Sequence, residues 1–375
     1  MIKKMLLLCV SIICLKMTNA QKDSAAHTLS LPSPISITGS VDGYYRYNFD
    51  GDQNNITSFT NSSNSFELGM ASIRGDHSFG KGGITVDLGF GRRAAEYSYN
   101  DSSSKNNLLA IKQAFIYYQS SSKLKFTFGK WGTHIGFEVL DAYNNRNYSM
   151  DYMFTFCPFF HTGIKADVTI DSNWSYMFGL ANPSDFSTTS SSTKTLLAQL
   201  SHTNKAGTWK EFLNYQGYSG VSTPYILNSV TGYNVYKSLT QADLVINGTL
   251  SKKWGIGFNS TYQVVETNKS NCWWGSAIYL NYDPLASLGF TLRGEYFSDK
   301  DGIKLNHIAF ATIPASVSGV NIYNLTFSTI WKIDNCLTIV PEIRFDNASE
   351  NIFTKSNASS INSTFSSLIA AVYKF

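Results

Sequence analysis

Charge is the scarcest commodity in this sequence: Asp, Glu, Lys and Arg make up 15% of its 375 residues, against about a quarter in a soluble globular chain. A surface built from it would lack the charges that keep soluble domains apart. Cysteine is scarce too, at 5 residues, and proline stands at 8. Cys157, Cys272 and Cys336 lie far apart with no CxxC spacing and no neighbouring histidine, which excludes a zinc site or a disulfide framework. One disulfide and three small buried thiols are the readings left open. After Ala20 no apolar run approaches the roughly 20 residues of a membrane helix. No polybasic block follows it either, so nucleic acid is not the partner. What is abundant is aromatic and small: 25 Phe, 22 Tyr and 27 Gly. That much apolar material excludes disorder.

The N-terminus identifies a compartment. Lys3 and Lys4 precede the apolar run Met5 to Leu15, and Thr18-Asn19-Ala20 supplies small residues for cleavage, so residues 1–20 read as a signal peptide. Lys16 and the shortness of the run count against an uncleaved anchor. The bulky Ile12 and Ile13 count against lipidation at Cys14. Losing Lys3, Lys4 and Lys16 lowers the formal charge from +4 to +1. Residues 21–34 are expected to be a short periplasmic segment.

The remaining chain has a period of two. Ile35, Ile37, Val41, Tyr45, Tyr47 and Phe49 alternate with Ser36, Thr38, Ser40, Asp42, Arg46 and Asn48, and the dyad returns at 287–297 and 336–346. Strands are expected to begin near 35, 65, 83, 108, 123, 161, 173, 194, 208, 237, 253, 272, 287, 319, 336 and 362. Their connectors alternate between long (50–64, 100–107, 131–160, 182–193, 218–236, 298–318, 347–361, with 267–271 of moderate length in the same series) and short, such as 80–82 and 120–122. An even strand number with short turns on one side and long polar loops on the other predicts an all-β fold: a single transmembrane antiparallel up-and-down barrel of about 16 strands over 35–375. Residues 306–313 look locally like another strand, giving a rival count of 17 or 18, but counting them breaks the alternation. Ile369, Ala371, Tyr373 and Phe375 form a terminal apolar stripe of the kind that hands bacterial outer-membrane proteins to the barrel-assembly machinery.

Three stretches carry a family resemblance: Phe128-Gly-Lys-Trp-Gly-Thr-His-Ile-Gly-Phe-Glu138, Asn145-Arg-Asn-Tyr-Ser149 and Pro158-Phe-Phe-His-Thr-Gly163. Two more agree with them: Leu292-Arg-Gly-Glu-Tyr-Phe-Ser-Asp-Lys-Asp-Gly302 and Val340-Pro-Glu-Ile-Arg-Phe-Asp346. Together they resemble the OmpL-like β-barrel porins over essentially the whole mature chain, with a departure at Cys157. The resemblance implies a channel of the bacterial outer membrane with a poorly defined substrate.

A sixteen-strand barrel leaves an aqueous lumen unless something folds into it. The connector 131–160 is the longest and is rich in Trp131, Phe137, Tyr143, Tyr148, Tyr152, Phe154 and Phe156, a composition suited to packing on an inner wall. It is expected to fold toward the lumen, with Glu138, Asp141, Arg146 and Asp151 at a constriction; the alternative is an aromatic extracellular cap. Charge on the lipid face at mid-membrane costs about 2–4 kcal/mol. The polar parity therefore places Asp42, Arg46, Asp87, Arg93, Lys112, Lys125, Asp243, Arg293, Glu295, Glu342 and Arg344 on the pore lining. Because acids and bases are mixed there, selectivity is expected to be weak or set by a transverse field, and ion pairs that merely stiffen the wall are the competing reading. Tyr44, Tyr47, Tyr97, Tyr117, Tyr118, Trp254, Trp273, Trp274 and Trp331 suit interfacial girdles.

The expected function is passive diffusion of small hydrophilic solutes. The alternative is a plugged barrel that binds or adheres through its long loops. Enzymatic readings are weak: Ser149 and Asp151 lie near His161 in sequence without forming a recognisable triad, and the glycine-containing segments lack a phosphate-loop context. No catalytic residue, metal or cofactor is assigned.

Overall fold

The computed structural model describes residues 34–51, 54, 56–101, 107–190, 192–220, 236–266, 270–305 and 317–375. The expected leader 1–20, nearly all of 21–34 and the doubtful strand 306–313 lie outside them. The first strands are β1 (Ser36–Asn48), β2 (Ser65–Phe79), β3 (Gly82–Phe90), β4 (Ile111–Ser121), β5 (Leu124–Gly132), β6 (Phe160–Thr169), β7 (Trp174–Ala181) and β8 (Thr195–Thr203). There follow β9 (Trp209–Ser219), β10 (Ser238–Thr249), β11 (Trp254–Glu266), β12 (Ser270–Leu285), β13 (Leu288–Asp299), β14 (Val320–Lys332) and β15 (Leu337–Ala348). A small hairpin, β16 (Phe353–Thr354) and β17 (Ser360–Ile361), decorates the last long connector before β18 (Ser363–Lys374). Two short helices matter below, α1 (Arg92–Tyr97) and α2 (Tyr152–Phe156).

β1 to β15 and β18 form one closed barrel of sixteen antiparallel strands, each paired with its sequence neighbours. Every strand starts within about three residues of its expected place. The barrel closes where β1 meets β18, in a register that sets Ser40 opposite Lys374 and Asn48 opposite Ser366. Gly39 and Phe375 extend this seam with reciprocal backbone bonds of 3.1 and 3.0 Å. Closure leaves no free edge in the wall, the condition for crossing hydrocarbon with strands.

The two faces of the wall differ as the dyad requires. Ile84, Val86, Ile116, Phe128, Ile164, Phe178, Leu213, Leu325 and Ile343 are exposed on the outer face, an apolar band suited to lipid. Ile369, Ala371, Tyr373 and Phe375 are exposed on that face too. Tyr47, Tyr118, Trp254, Trp274 and Trp331 are likewise exposed. Tyr44, Tyr97 and Trp273 are buried instead: Tyr44 and Trp273 have the inward parity of their strands and Tyr97 lies on α1. Among the described residues Cys157, Cys272 and Cys336 are free; Cys157 is buried, while Cys272 and Cys336 are partly exposed.

Candidate functional site

Because the exposed apolar side chains mark the outside, the opposite parity marks the inner wall. Asp42 and Arg46 on β1, Asp87 on β3, Lys125 on β5, Asp243 on β10, Arg293 and Glu295 on β13, and Glu342 and Arg344 on β15 all have it. Lys112 on β4 instead has the parity of outward Ile116 and Tyr118, and it is buried beside Asp87 because the β3–β4 register shifts there. Lys125 keeps water contact; the others are buried. Arg93 differs from expectation. β3 ends at Phe90, Gly91 takes a φ of 115°, and the chain turns into α1, so Arg93 stands beyond the strand. The turn needs glycine for a second reason, since a Cβ there would meet the backbone oxygen of Gly69. The Arg93 guanidinium lies 4.8 Å from the Phe59 ring and 4.9 Å from that of Tyr148, and donates to Leu140 O at 3.1 Å.

What covers these wall residues is the connector between β5 and β6. Its Gly136 N–H donates to Asp243 at 3.0 Å. Glu138 accepts from Arg293 at 2.5 Å, and Asp141 pairs with Lys112, which Asp87 also holds at 3.0 Å. Asn147 donates to Ser328 on β14 at 2.7 Å, and the Tyr148 hydroxyl donates to Asp42. Glu342 accepts from the backbone N–H of Tyr148 at 2.9 Å and of Ser149 at 3.2 Å. Glu295 accepts from those of Tyr152 and Met153, both at 2.9 Å. Arg344 donates to Met150 O at 2.6 Å, and Tyr152 donates to Asp346 at 2.9 Å. Backbone groups of an irregular segment need partners when buried, and here the wall carboxylates and guanidinium groups supply them.

Asp151 caps α2 by accepting from Phe154 N at 2.6 Å, and it also accepts from the Tyr279 hydroxyl at 2.8 Å. Glu138 lies beside it, accepting the Asp151 N–H at 2.8 Å. Burial, reinforced by the negative charge of Asp151, pushes the Glu138 carboxyl from an ordinary 4.5 up to about 7 against the pull of Arg293. Asp185, in the next long connector, accepts from Phe159 N at 2.6 Å and Phe160 N at 3.0 Å, and burial raises its carboxyl to about 6. Arg146 lies apart from this cluster. It reaches the short-turn end of β12, pairing with Asp283 at 2.7 Å and donating to Thr291 at 2.5 Å.

Three participants lie outside the residues expected to line or pack on the inner wall: Tyr279, Asp185 and Asp346. Asp346 shares the parity of Glu342 and Arg344, so the dyad pointed to it. Tyr279 and Asp185 carry no local signal, because their partners are distant in sequence. Cys157, where the family pattern departs, fills a buried position and accepts from Gln241 at 3.1 Å. Among the described residues no group of three or more His, Cys, Asp or Glu could hold a metal ion.

Solved structures share the fold at low identity. The outer membrane channel DcaP of Acinetobacter baumannii superposes with a TM-score of 0.57 at 12% identity, covering 94% of this chain and 100% of that one. The anion-selective porin from Comamonas acidovorans gives 0.59 at 9%, covering 91% and 99%. OmpT of Vibrio cholerae gives 0.57 at 10%, covering 93% and 100%. No curated protein sequence matches the chain. Residues 34–375 match the family described as "Putative beta-barrel porin-2, OmpL-like"; the chain belongs to that family, and its place is the bacterial outer membrane.

Proposed function

We propose that this protein is a porin through which small hydrophilic solutes diffuse passively, with the connector 131–160 folded toward the lumen and narrowing it. The observation that carries the reading is the set of bonds from this connector to inward-facing residues on β1, β4, β10 and β12 to β15. Its solutes would pass between the connector and the wall of β5 to β9, where Lys125, Lys165 and Asp167 remain in contact with water. DcaP is described as a channel and the Comamonas protein as a porin, which agrees with this role. Residues 1–20 would be the export signal and 21–34 a periplasmic lead-in to the 35–375 barrel. The outward stripe Ile369, Ala371, Tyr373 and Phe375 would be read by the assembly machinery. No catalytic role or cofactor is part of the proposal.

A second reading has its own support. Asp42, Asp87, Asp243, Glu295 and Glu342 are buried against protein rather than wet, as a plugged barrel working through its long loops would require. Single-channel conductance of the refolded mature protein separates the two. Stable open steps that grow when 133–159 is replaced by a short linker support the narrowed porin. A heat-modifiable barrel that inserts and never conducts supports the plug.

A further inference from the structure

We propose that the water-accessible part of the inner wall makes this barrel prefer small anions to small cations. The inference rests on the porin reading above and specifies its solute class. Sequence parity places acids and bases on the inner wall in nearly equal number; burial separates them. The acids expected to line the pore are all held by protein groups. Asp42 accepts from Tyr148, Asp87 pairs with Lys112, Asp243 accepts from Asn214, Asn259 and Gly136, and Glu295 and Glu342 each accept two backbone N–H groups. A solute in the aqueous path does not touch them.

Apart from the Arg92–Glu67 pair at the long-loop end, which is 3.4 Å apart and cancels itself, the charges that remain wet lie toward the short-turn end. Arg74 on β2 is closed by Asp76 through two bonds of 2.7 and 2.9 Å and contributes little net charge. Lys125 and Lys165, on neighbouring strands, share the single carboxylate of Asp167 at 3.5 and 3.3 Å. Their side chains are 42% and 21% exposed, so one ammonium charge there is uncompensated and reachable from water. Lys210, near the start of β9, has the inward parity of Asn214 and Gln216 and is exposed, and no carboxylate pairs with it among the described residues. Lys374 stands opposite inward-facing Ser40, exposed at the same end, with its ammonium 5.7 Å from the Tyr143 ring. Arg146 and Asp283 cancel each other. An excess of one sign along a pore wall concentrates ions of the other, and low-dielectric walls focus the effect.

The test is the reversal potential of the mature protein in a planar bilayer under a potassium chloride gradient. Chloride permeability should exceed that of potassium severalfold near 0.1 M salt. The ratio should fall toward one near 1 M, where the screening length shrinks from about 10 Å to about 3 Å. The variant Lys125→Gln/Lys165→Gln/Lys210→Gln should lower the ratio by at least about twofold while keeping heat-modifiable migration. The single variants Lys125→Gln and Lys210→Gln, each lowering it in part, serve if the triple one fails to fold. Open steps with a reversal potential at zero or on the cation side overturn the anion preference and leave the porin reading standing. An anion preference that survives loss of the three lysines overturns its assignment to the wet inner wall and likewise leaves the porin reading standing. Protein that folds and inserts without conducting overturns both.

Discussion

Replacing Arg293 by Met tests what holds the 133–159 connector to the wall. The guanidinium is fully buried, donating to Glu138 at 2.5 Å, to Ser149 O at 2.8 Å and to Thr326 at 3.0 Å. Met matches much of the volume and none of the charge, so Glu138 loses its cation and the Ser149 carbonyl its donor. Removing one partner of a buried pair costs about 3–5 kcal/mol. If the loss falls on docking of the connector, its opening equilibrium shifts by about two to four orders of magnitude at 1.36 kcal/mol per decade. Hydrogen exchange reads this directly, because the amides of Tyr148, Ser149, Tyr152 and Met153 donate to the wall acids Glu342 and Glu295 and exchange only when the segment lifts. Ladder amides between β13 and β14, such as the Gly294 and Leu325 pair, serve as the internal control and should keep their protection. Adding Glu138→Gln should restore part of the loss, since the orphaned carboxylate is then gone. Exchange of the four amides within about threefold of wild type, against the decades expected from a broken buried pair, would refute the view that Arg293 clamps the connector.

Three further outcomes are expected. Glu138 is raised from 4.5 to about 7, so it favours its protonated form in the folded connector; its stabilising share is complete below about 4.5 and is lost as pH rises through about 7. Protease sensitivity of 133–159 should therefore rise between pH 5 and pH 8, and the wild-type minus Glu138→Gln difference, which cancels other titrating groups, should carry that slope; an identical slope in both proteins contradicts it. A Cβ at Gly69 would occupy the space of the Asp42 carboxylate and the Tyr148 hydroxyl. Gly69→Ala should break that bond at about 1–3 kcal/mol and speed exchange at the Tyr148 amide roughly ten- to hundredfold, with unchanged exchange speaking against it. Deleting Phe375 removes the two backbone bonds to Gly39 at the closing seam, so the yield of heat-modifiable barrel in the outer membrane should drop, and a wild-type yield would release this residue from any part in assembly.

The wall was far more legible in the sequence than what it holds, and the reason is physical. Lipid imposes one rule on every outward position: a charge at mid-membrane is expensive. Ile84, Phe128 and Ile343 each obey it on purely local evidence, and the turns between strands follow from where the dyad stops. The inner face answers to partners instead of a solvent. Arg293 meets Glu138 across 155 residues and Glu342 meets Tyr148 across 194, and no local pattern encodes such distances. Parity shows that Glu342 faces inward without showing whether it meets water or a backbone amide. The misplaced girdle residues Tyr44 and Trp273 differ in this respect: an aromatic near a strand end suits the membrane interface and the underside of a packed segment equally well, and strand parity, which Tyr44 shares with Asp42 and Arg46, is what separates the two. Arg93 escaped for a different reason, since alternation was carried through Gly91, whose φ of 115° ends the strand and starts a helix. Composition is what carries the proposed placement of 131–160 toward the lumen, through its aromatics. A segment so rich in Tyr and Phe needs a surface to cover, and in a closed barrel whose outside belongs to lipid the polar inner wall provides it, supplying through its acids and arginines the hydrogen bonds that the segment's own irregular backbone cannot make.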